Sequence, residues 1–229
     1  MATIADRLDQ LTAAIARAAQ AAGRQPAEIR LVAISKTVAP AAVREARAAG
    51  QRLFGENRAQ ELLSKQQALA DLDIAWHFVG RLQTNKVPQV VPIAALIHSV
   101  DRLDLALRLA ARSADRSPLP VLVQVNTSGE DSKAGVAPER LSELLDEIAA
   151  LDHLSVEGLM TIGPLTGDRG AIRAAFRLLR RALEEERRRG RPRSPLRELS
   201  MGMSGDFEIA IEEGATLLRI GTALFGARD

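Results

Sequence analysis

Leu31-Val32-Ala33-Ile34-Ser35-Lys36 is a short apolar run of mostly branched residues that closes on a lysine and leads into a turn containing Pro40. Such a run reads as a buried parallel strand over residues 29–36, because both faces of a parallel sheet are covered. A lysine at the carboxyl end of that strand sits half in an apolar wall and half in the crevice where α/β proteins bind ligands. Desolvation in such a place disfavours an ammonium and frees the neutral amine that attacks carbonyls to form a Schiff base. A strand-end lysine snorkelling to water has the same sequence, and Lys36 taken alone favours that plainer reading.

Around this run, short apolar strands alternate with helical patterns. Ile4, Leu8, Leu11 and Ile15 recur at helical spacing and give a leading amphipathic helix that Gly23 ends. Further strands are expected at residues 52–55, 74–79, 96–100, 121–126, 155–160, 198–200 and 217–220. Helical patterns lie between them at 40–49, 57–70, 85–91, 102–114, 138–150, 168–189 and 205–213, with a short one from Thr222. Eight strand-plus-helix units in 229 residues match a single (β/α)8 TIM barrel occupying residues 1–229 behind an N-terminal helix. A doubly wound sheet is the competitor. It has fewer strands and often a glycine-rich first turn, whereas Ser35-Lys36-Thr37-Val38-Ala39-Pro40 contains no glycine.

Composition excludes several function classes. Apolar residues make up 46% of the chain and aromatics only 3%, so a large core must be built from Ala, Leu, Val and Ile. The formal charge is +2 with acids and bases interleaved, which is a solvated surface rather than a nucleic-acid footprint. Glu184 to Arg189 illustrates this with Glu–Arg pairs at i,i+4. There is no cysteine, which excludes disulfides and thiolate-bound metal, and three histidines without HxxxH or HxE spacing give no metal motif. The charged start Met1-Ala2-Thr3-Ile4-Ala5-Asp6-Arg7 is unlike a signal peptide and no run reaches membrane-spanning length. The expected location is the cytoplasm, without membrane or nucleic-acid partners.

Polar and glycine-rich residues collect after every expected strand, on the face where barrels carry chemistry. Loops explain much of this, since loops favour Gly, Ser and Asn. They do not explain Lys36, His77 or Arg219. The turns Ser200-Met201-Gly202-Met203-Ser204-Gly205 and Gly221-Thr222 follow strands seven and eight, where this fold often builds a phosphate site. Ser204 precedes a helical pattern, so its hydroxyl and the Gly205 and Asp206 amides are expected to face an anion. Gly221 and Thr222 supply amides and a second hydroxyl. A plain N-cap and a plain turn glycine account for each turn singly; a phosphate site is the better joint reading. Arg219 lies among Leu217, Leu218 and Ile220, where a guanidinium needs an acceptor, either Glu56, Glu198 or a ligand. His77, with no partner in view, is read as lining the pocket.

Seven blocks sharpen this reading: Ala33-Ile34-Ser35-Lys36-Thr37, Phe54-Gly55-Glu56-Asn57, Trp76-His77-Phe78-Val79-Gly80, Leu82-Gln83-Thr84-Asn85-Lys86, Gly158-Leu159-Met160, Leu199-Ser200-Met201-Gly202-Met203-Ser204 and Arg219-Ile220-Gly221-Thr222-Ala223-Leu224-Phe225-Gly226. In order and over nearly the whole chain, they resemble the YggS/PROSC family of pyridoxal phosphate homeostasis proteins. Those are fold type III barrels, like the N-terminal domain of alanine racemase. The resemblance implies that Lys36 holds pyridoxal 5'-phosphate as a Schiff base and that Ser204, Gly205, Gly221 and Thr222 take its phosphate, with Ser200 nearby. It implies that Arg219 faces the pyridine nitrogen, keeping it unprotonated and the ring a weak electron sink. Asn57, His77, Met160 and Met203 would line the ring, and Lys133 would be a secondary aldehyde acceptor. Arg81 departs from the pattern, since many relatives have proline there; this alters the rim and leaves the cofactor contacts.

Two function classes then compete. One is a non-catalytic, monomeric carrier that stores pyridoxal phosphate and delivers it to apo enzymes that use this cofactor. The other is an amino-acid racemase or decarboxylase on the same barrel. Racemases of this fold use the lysine and a tyrosine from an added β-domain. This chain contains no tyrosine, and the expected barrel leaves no residues for such a domain. The carrier is the favoured reading. A cofactor-free aldolase would share the lysine and leave Arg219 without a role.

Overall fold

A computed structural model describes residues 2–115, 117–130 and 134–226. Its eight strands close in chain order into a parallel barrel. They are β1 Arg30–Ile34, β2 Leu53–Glu56, β3 Ala75–Phe78, β4 Ala94–Val100, β5 Leu119–Gln124, β6 Leu154–Met160, β7 Glu198–Ser200 and β8 Leu217–Ile220. Helix α1, Ile4–Ala21, precedes the barrel. The crossovers carry α2 Pro40–Ala48, α3 Ala59–Ala68, α4 Val87–Val90, α5 Leu103–Arg112, α6 Leu141–Ala149, α7 Arg169–Arg189 and α8 Phe207–Glu212, and α9 Thr222–Phe225 follows β8. Closure removes sheet edges, and parallel pairing requires the crossovers to lie outside. The (β/α)8 barrel expected from the sequence is the fold observed.

Alternation along each strand separates two cores. Val32, Ile34, Leu96, Leu122, Met160 and Leu217 pack together inside the barrel, with Leu53 and Val79 against them. Their neighbours of opposite parity, such as Ala33, Phe54, Trp76, Phe78 and Ile220, face the helices in the larger outer core. The barrel closes through Val32 opposite Arg219 and Ala33 opposite Ile220. Helix α1 and the turn that follows it are strapped to neighbouring elements by side chains, Arg7 on the helix and Arg24 beyond it. Arg24 Nη1 donates to the carbonyls of Ile211 at 3.0 Å and Ala215 at 2.8 Å, and Arg7 Nε to that of Leu224 at 2.7 Å. A Thr3–Asp6 capping box starts the helix, satisfying two end groups reciprocally.

Several boundaries differ from the sequence pattern. β1 stops at Ile34, so Lys36 occupies a turn two residues beyond the strand, with Thr37 in the left-handed region at φ 60°. β5 begins at Leu119, because Pro120 reads as a breaker yet pairs in register with Ser155. The expected helix at 85–91 is a 3-10 turn, Thr84–Lys86, followed by the four-residue α4, since Pro88 and Pro92 cannot supply ladder N–H groups. Gly80 is required by close approach. A Cβ there would lie 2.1 Å from the Asn57 carbonyl oxygen, so the loops leaving β2 and β3 touch through backbone.

Candidate functional site

At the carboxyl end of the strands lies a cavity of about 480 Å³. β1 and its turn contribute Ile34 and Lys36, β2 leads to Asn57, and β3 leads to Val79, Gly80 and Arg81. Gln124 of β5, Ile162 after β6, and Met203, Ser204 and Gly205 after β7 continue the wall. Arg219, Gly221 and Thr222 complete it from β8 and the start of α9. Its polar lining consists of an amine, guanidinium groups, hydroxyls, amides and backbone groups. No carboxylate lines it among the described residues. The arrangement suits an anion that also presents an electrophilic carbon to Lys36. A Cβ on Gly205 would meet nothing within 4 Å, so the backbone there borders open space.

Arg219 is buried in the interior of the barrel without an ion pair among the described residues. Its Nη1 donates to Ser200 Oγ at 2.7 Å and its Nη2 to the Thr161 carbonyl at 2.7 Å. Burial pulls its pKa down to about 10, opposed by the charge of Asp206, so it remains a cation at neutral pH. The acids proposed from sequence as its partners are engaged elsewhere: Glu198 with Arg30 at 2.6 Å, and Glu56 with Lys65 at 2.6 Å.

Ser200 also meets His98 Nδ1 at 2.9 Å, and His98 Nε2 meets His77 Nδ1 at 2.9 Å. A buried polar chain therefore runs from β3 through β4 and β7 to Arg219. Burial, reinforced by the charge of Arg30, lowers the His77 pKa to about 4. Burial drives His98 well below its ordinary value, and the nearby His77, Arg219 and Arg30 add to the effect. Two neutral imidazoles link without opposing N–H groups, because each offers one donor and one acceptor.

Lys36 is exposed and sits in the turn beyond β1, not half in an apolar wall at the strand end. What fixes it is the turn on either side. Lys65 Nζ, from α3, donates to the Ser35 carbonyl at 2.5 Å and to Glu56 Oε1 at 2.6 Å. Ser35 Oγ donates to the same Glu56 oxygen at 2.6 Å. On the far side, the Thr37 N–H donates to Glu61 Oε2 at 2.8 Å. Burial pushes the Glu56 carboxyl up against these bonds. Against its own partial burial, the Thr37 amide and Lys65 hold Glu61 below its usual value.

Eight of the expected site residues meet at the cavity: Lys36, Asn57, Met203, Ser204, Gly205, Arg219, Gly221 and Thr222. Three lie beneath it. Met160 belongs to the interior apolar cluster, while His77 and Ser200 form the polar chain behind Arg219. Each points inward by strand parity, so strand position and not loop position sets its role. Asp206 is a correction too: its amide donates to the Met203 carbonyl at 3.2 Å, and α8 starts one residue later. Lys133 lies outside the described residues. Gln124 and Ile162 are further lining residues that the sequence reading does not single out; Gln124 lies inside the expected strand 121–126 and shares the inward parity of Leu122, which is the signal that marks it.

The family model for the alanine racemase N-terminal domain matches residues 7–229. The pyridoxal phosphate homeostasis protein of Pseudomonas aeruginosa is 52% identical over 230 residues, covering 100% of this chain and 97% of that protein. The structure of PipY from Synechococcus elongatus PCC7942 with PLP bound superposes with a TM-score of 0.86 at 41% identity, covering 98% of this chain and 100% of that one. Alanine racemase from Corynebacterium glutamicum shares the fold, with a TM-score of 0.70 at 16% identity over 96% of this chain and 62% of that one.

Two outcomes are expected from this geometry. Lys65→Met leaves Glu56 as an uncompensated buried charge and should cost about 3–5 kcal/mol in urea unfolding, with Glu56→Gln restoring part of the loss. A single variant within about 1 kcal/mol of wild type would contradict the clamp. The histidine chain predicts acid sensitivity. A folded pKa below the unfolded one stabilises above about pH 6.5, and that stability is lost as pH falls through the folded value of about 4. Unfolding free energy should drop by about 2–3 kcal/mol between pH 7 and pH 4.5, with His77 imidazole 15N shifts still those of a neutral ring at pH 5.5. Imidazolium shifts at pH 5.5 would contradict it.

Proposed function

This chain belongs to the pyridoxal phosphate homeostasis proteins of the alanine racemase N-terminal domain family, and on that premise we propose that it carries pyridoxal 5'-phosphate on Lys36. The observation that supports the reading is the single cavity in which Lys36 and Arg219 meet the Ser204–Gly205 and Gly221–Thr222 turns. Its cationic and hydroxyl-bearing lining, without a carboxylate among the described residues, fits an anionic aldehyde. The cofactor, when bound, would supply that aldehyde, and the amine of Lys36 would supply the nucleophile that holds it, with release of one water.

The remaining roles follow from what each group offers. Ser204 and Thr222 present hydroxyls, and Gly205 and Gly221 let backbone approach a phosphate closely. Arg219 has donors and no acceptor, so a pyridine nitrogen facing it stays unprotonated. An unprotonated ring withdraws electrons weakly, which favours holding the cofactor over turning substrates over. Ser200 and the Thr161 carbonyl fix the Arg219 fork, so this polarity is built in. Ile162 and Met203 offer apolar contact to a flat ring.

The carrier reading over the racemase rests on proton chemistry. Racemisation by two bases needs a proton acceptor on each face of the cofactor. Among the described residues, Lys36 is the one amine, carboxyl or imidazole that lines the cavity. His77 sits beneath it, bonded to His98. In this proposal the chain works as a cytoplasmic monomer that limits free aldehyde and hands the cofactor to apo enzymes.

The purified protein mixed with pyridoxal phosphate should show an absorbance band near about 420 nm that Lys36→Ala abolishes, the chromophore being the cofactor's own. An unchanged band in Lys36→Ala would contradict the assignment. Turnover of alanine or another amino acid at about 1 s⁻¹ or faster would overturn the carrier role.

A further inference from the structure

We propose that a second cavity, of about 750 Å³ and walled by the segments leaving β2, β3 and β4, is a separate binding site for a small phosphate monoester. Four cations line it: Arg58, Arg81, Lys86 and Arg102. No carboxylate lines it among the described residues. Arg81 and Lys86 form no ion pair among those residues, and Arg58 has only Glu61 at 3.9 Å. Arg102 is held in place from behind by Asp101 Oδ1 at 2.7 Å, Asp104 Oδ1 at 2.9 Å and the Leu82 carbonyl at 3.0 Å. One fixed guanidinium, one at the edge of ion-pair range and two cations without an ion pair, around one space, make a pattern for a compact, doubly charged anion.

The cavity is of small-molecule size, and Phe78 and Leu82 give it an apolar face against which the organic part of an ester can rest. Leu82, Gln83, Thr84 and Lys86 come from the segment after β3 and line this cavity alone, whereas Val79 and Gly80 of the same segment line only the cofactor cavity. The two cavities adjoin: Asn57 and Arg81 line both, and Asn57 Oδ1 is buried without a hydrogen-bond partner. A phosphate ester bound here would lie next to the cofactor cavity without occupying it. The free cofactor and any other small phosphate ester share this chemistry.

The test uses protein whose Lys36 has been reduced with bound cofactor, so that the first cavity is filled. Inorganic phosphate, glycerol 3-phosphate and pyridoxal 5'-phosphate are titrated separately by calorimetry. One further equivalent should bind and weaken with added salt. Lys86→Gln combined with Arg58→Gln should weaken it by about tenfold or more, both residues lying outside the cofactor cavity. Tighter binding of pyridoxal phosphate than of glycerol 3-phosphate identifies a second cofactor position, and equal binding a general phosphate ester site. No saturation by any probe up to about 10 mM, or unchanged binding in the double variant, overturns the proposal. The 420 nm band of the unreduced double variant reads the first cavity separately, so failure of the Lys36 assignment is distinguishable from failure of this one.

Discussion

The register in which β8 closes on β1 fixes where every functional side chain of this barrel sits. Val32 lies opposite Arg219, and side chains alternate, so Val32, Ile34 and Arg219 share the interior face. Lys36 continues the same parity two residues past the strand. A slip of one residue would turn Arg219 out under the helices and bring Ile220 inside. Such a slip would strip the guanidinium of Ser200 and the Thr161 carbonyl, and a buried cation without acceptors is very costly. Arg219 therefore works as a register lock as well as a wall of the cavity. Helix α1 and the segment after it reinforce closure from outside, through Arg7 of the helix on Leu224 and Arg24 beyond it on Ile211 and Ala215.

Electrostatically, the site is built from donors above and neutral groups below. Two imidazoles inside the barrel would repel Arg219 if charged, and burial keeps both neutral. Arg219 thus retains its charge in an interior where, among the described residues, no carboxylate is bonded to it. The acids near the cavity serve its frame. Glu56 and Glu61 hold the Lys36 turn, and Asp206 accepts the Met203 amide at 2.5 Å and adds a favourable charge for Arg219. Lys36 itself is exposed, so its position comes from the clamped Ser35 and Thr37, not from burial. This suits a tether better than a buried base.

The barrel was legible because eight apolar runs are punctuated by helical patterns, and because short strands need little beyond their composition to be seen. Lys36, Arg219 and the two turns were legible as polar residues at strand ends. Other parts depend on contacts distant in sequence. His77 looked partnerless because His98 is 21 residues away and Ser200 lies four strands on. Lys65 reads as an ordinary helix lysine until α3 packs it against Glu56. Gln124, and not Asn126, is the last residue of β5, because the strand runs from Leu119 to Gln124 and not from 121 to 126. Met160 and Ser200 lie on recognised strands, and parity alone would have placed them in the interior and not on the cavity wall.

The central claim is that Lys36, and no other amine, holds the aldehyde of the cofactor. Borohydride reduction of the loaded protein followed by digestion and peptide mass analysis tests it most directly, because reduction makes the bond permanent before any transfer. The account predicts one equivalent of reduced pyridoxyl phosphate, on the peptide containing Lys36. Recovery of that peptide unmodified, with the label on another lysine or absent, would contradict it.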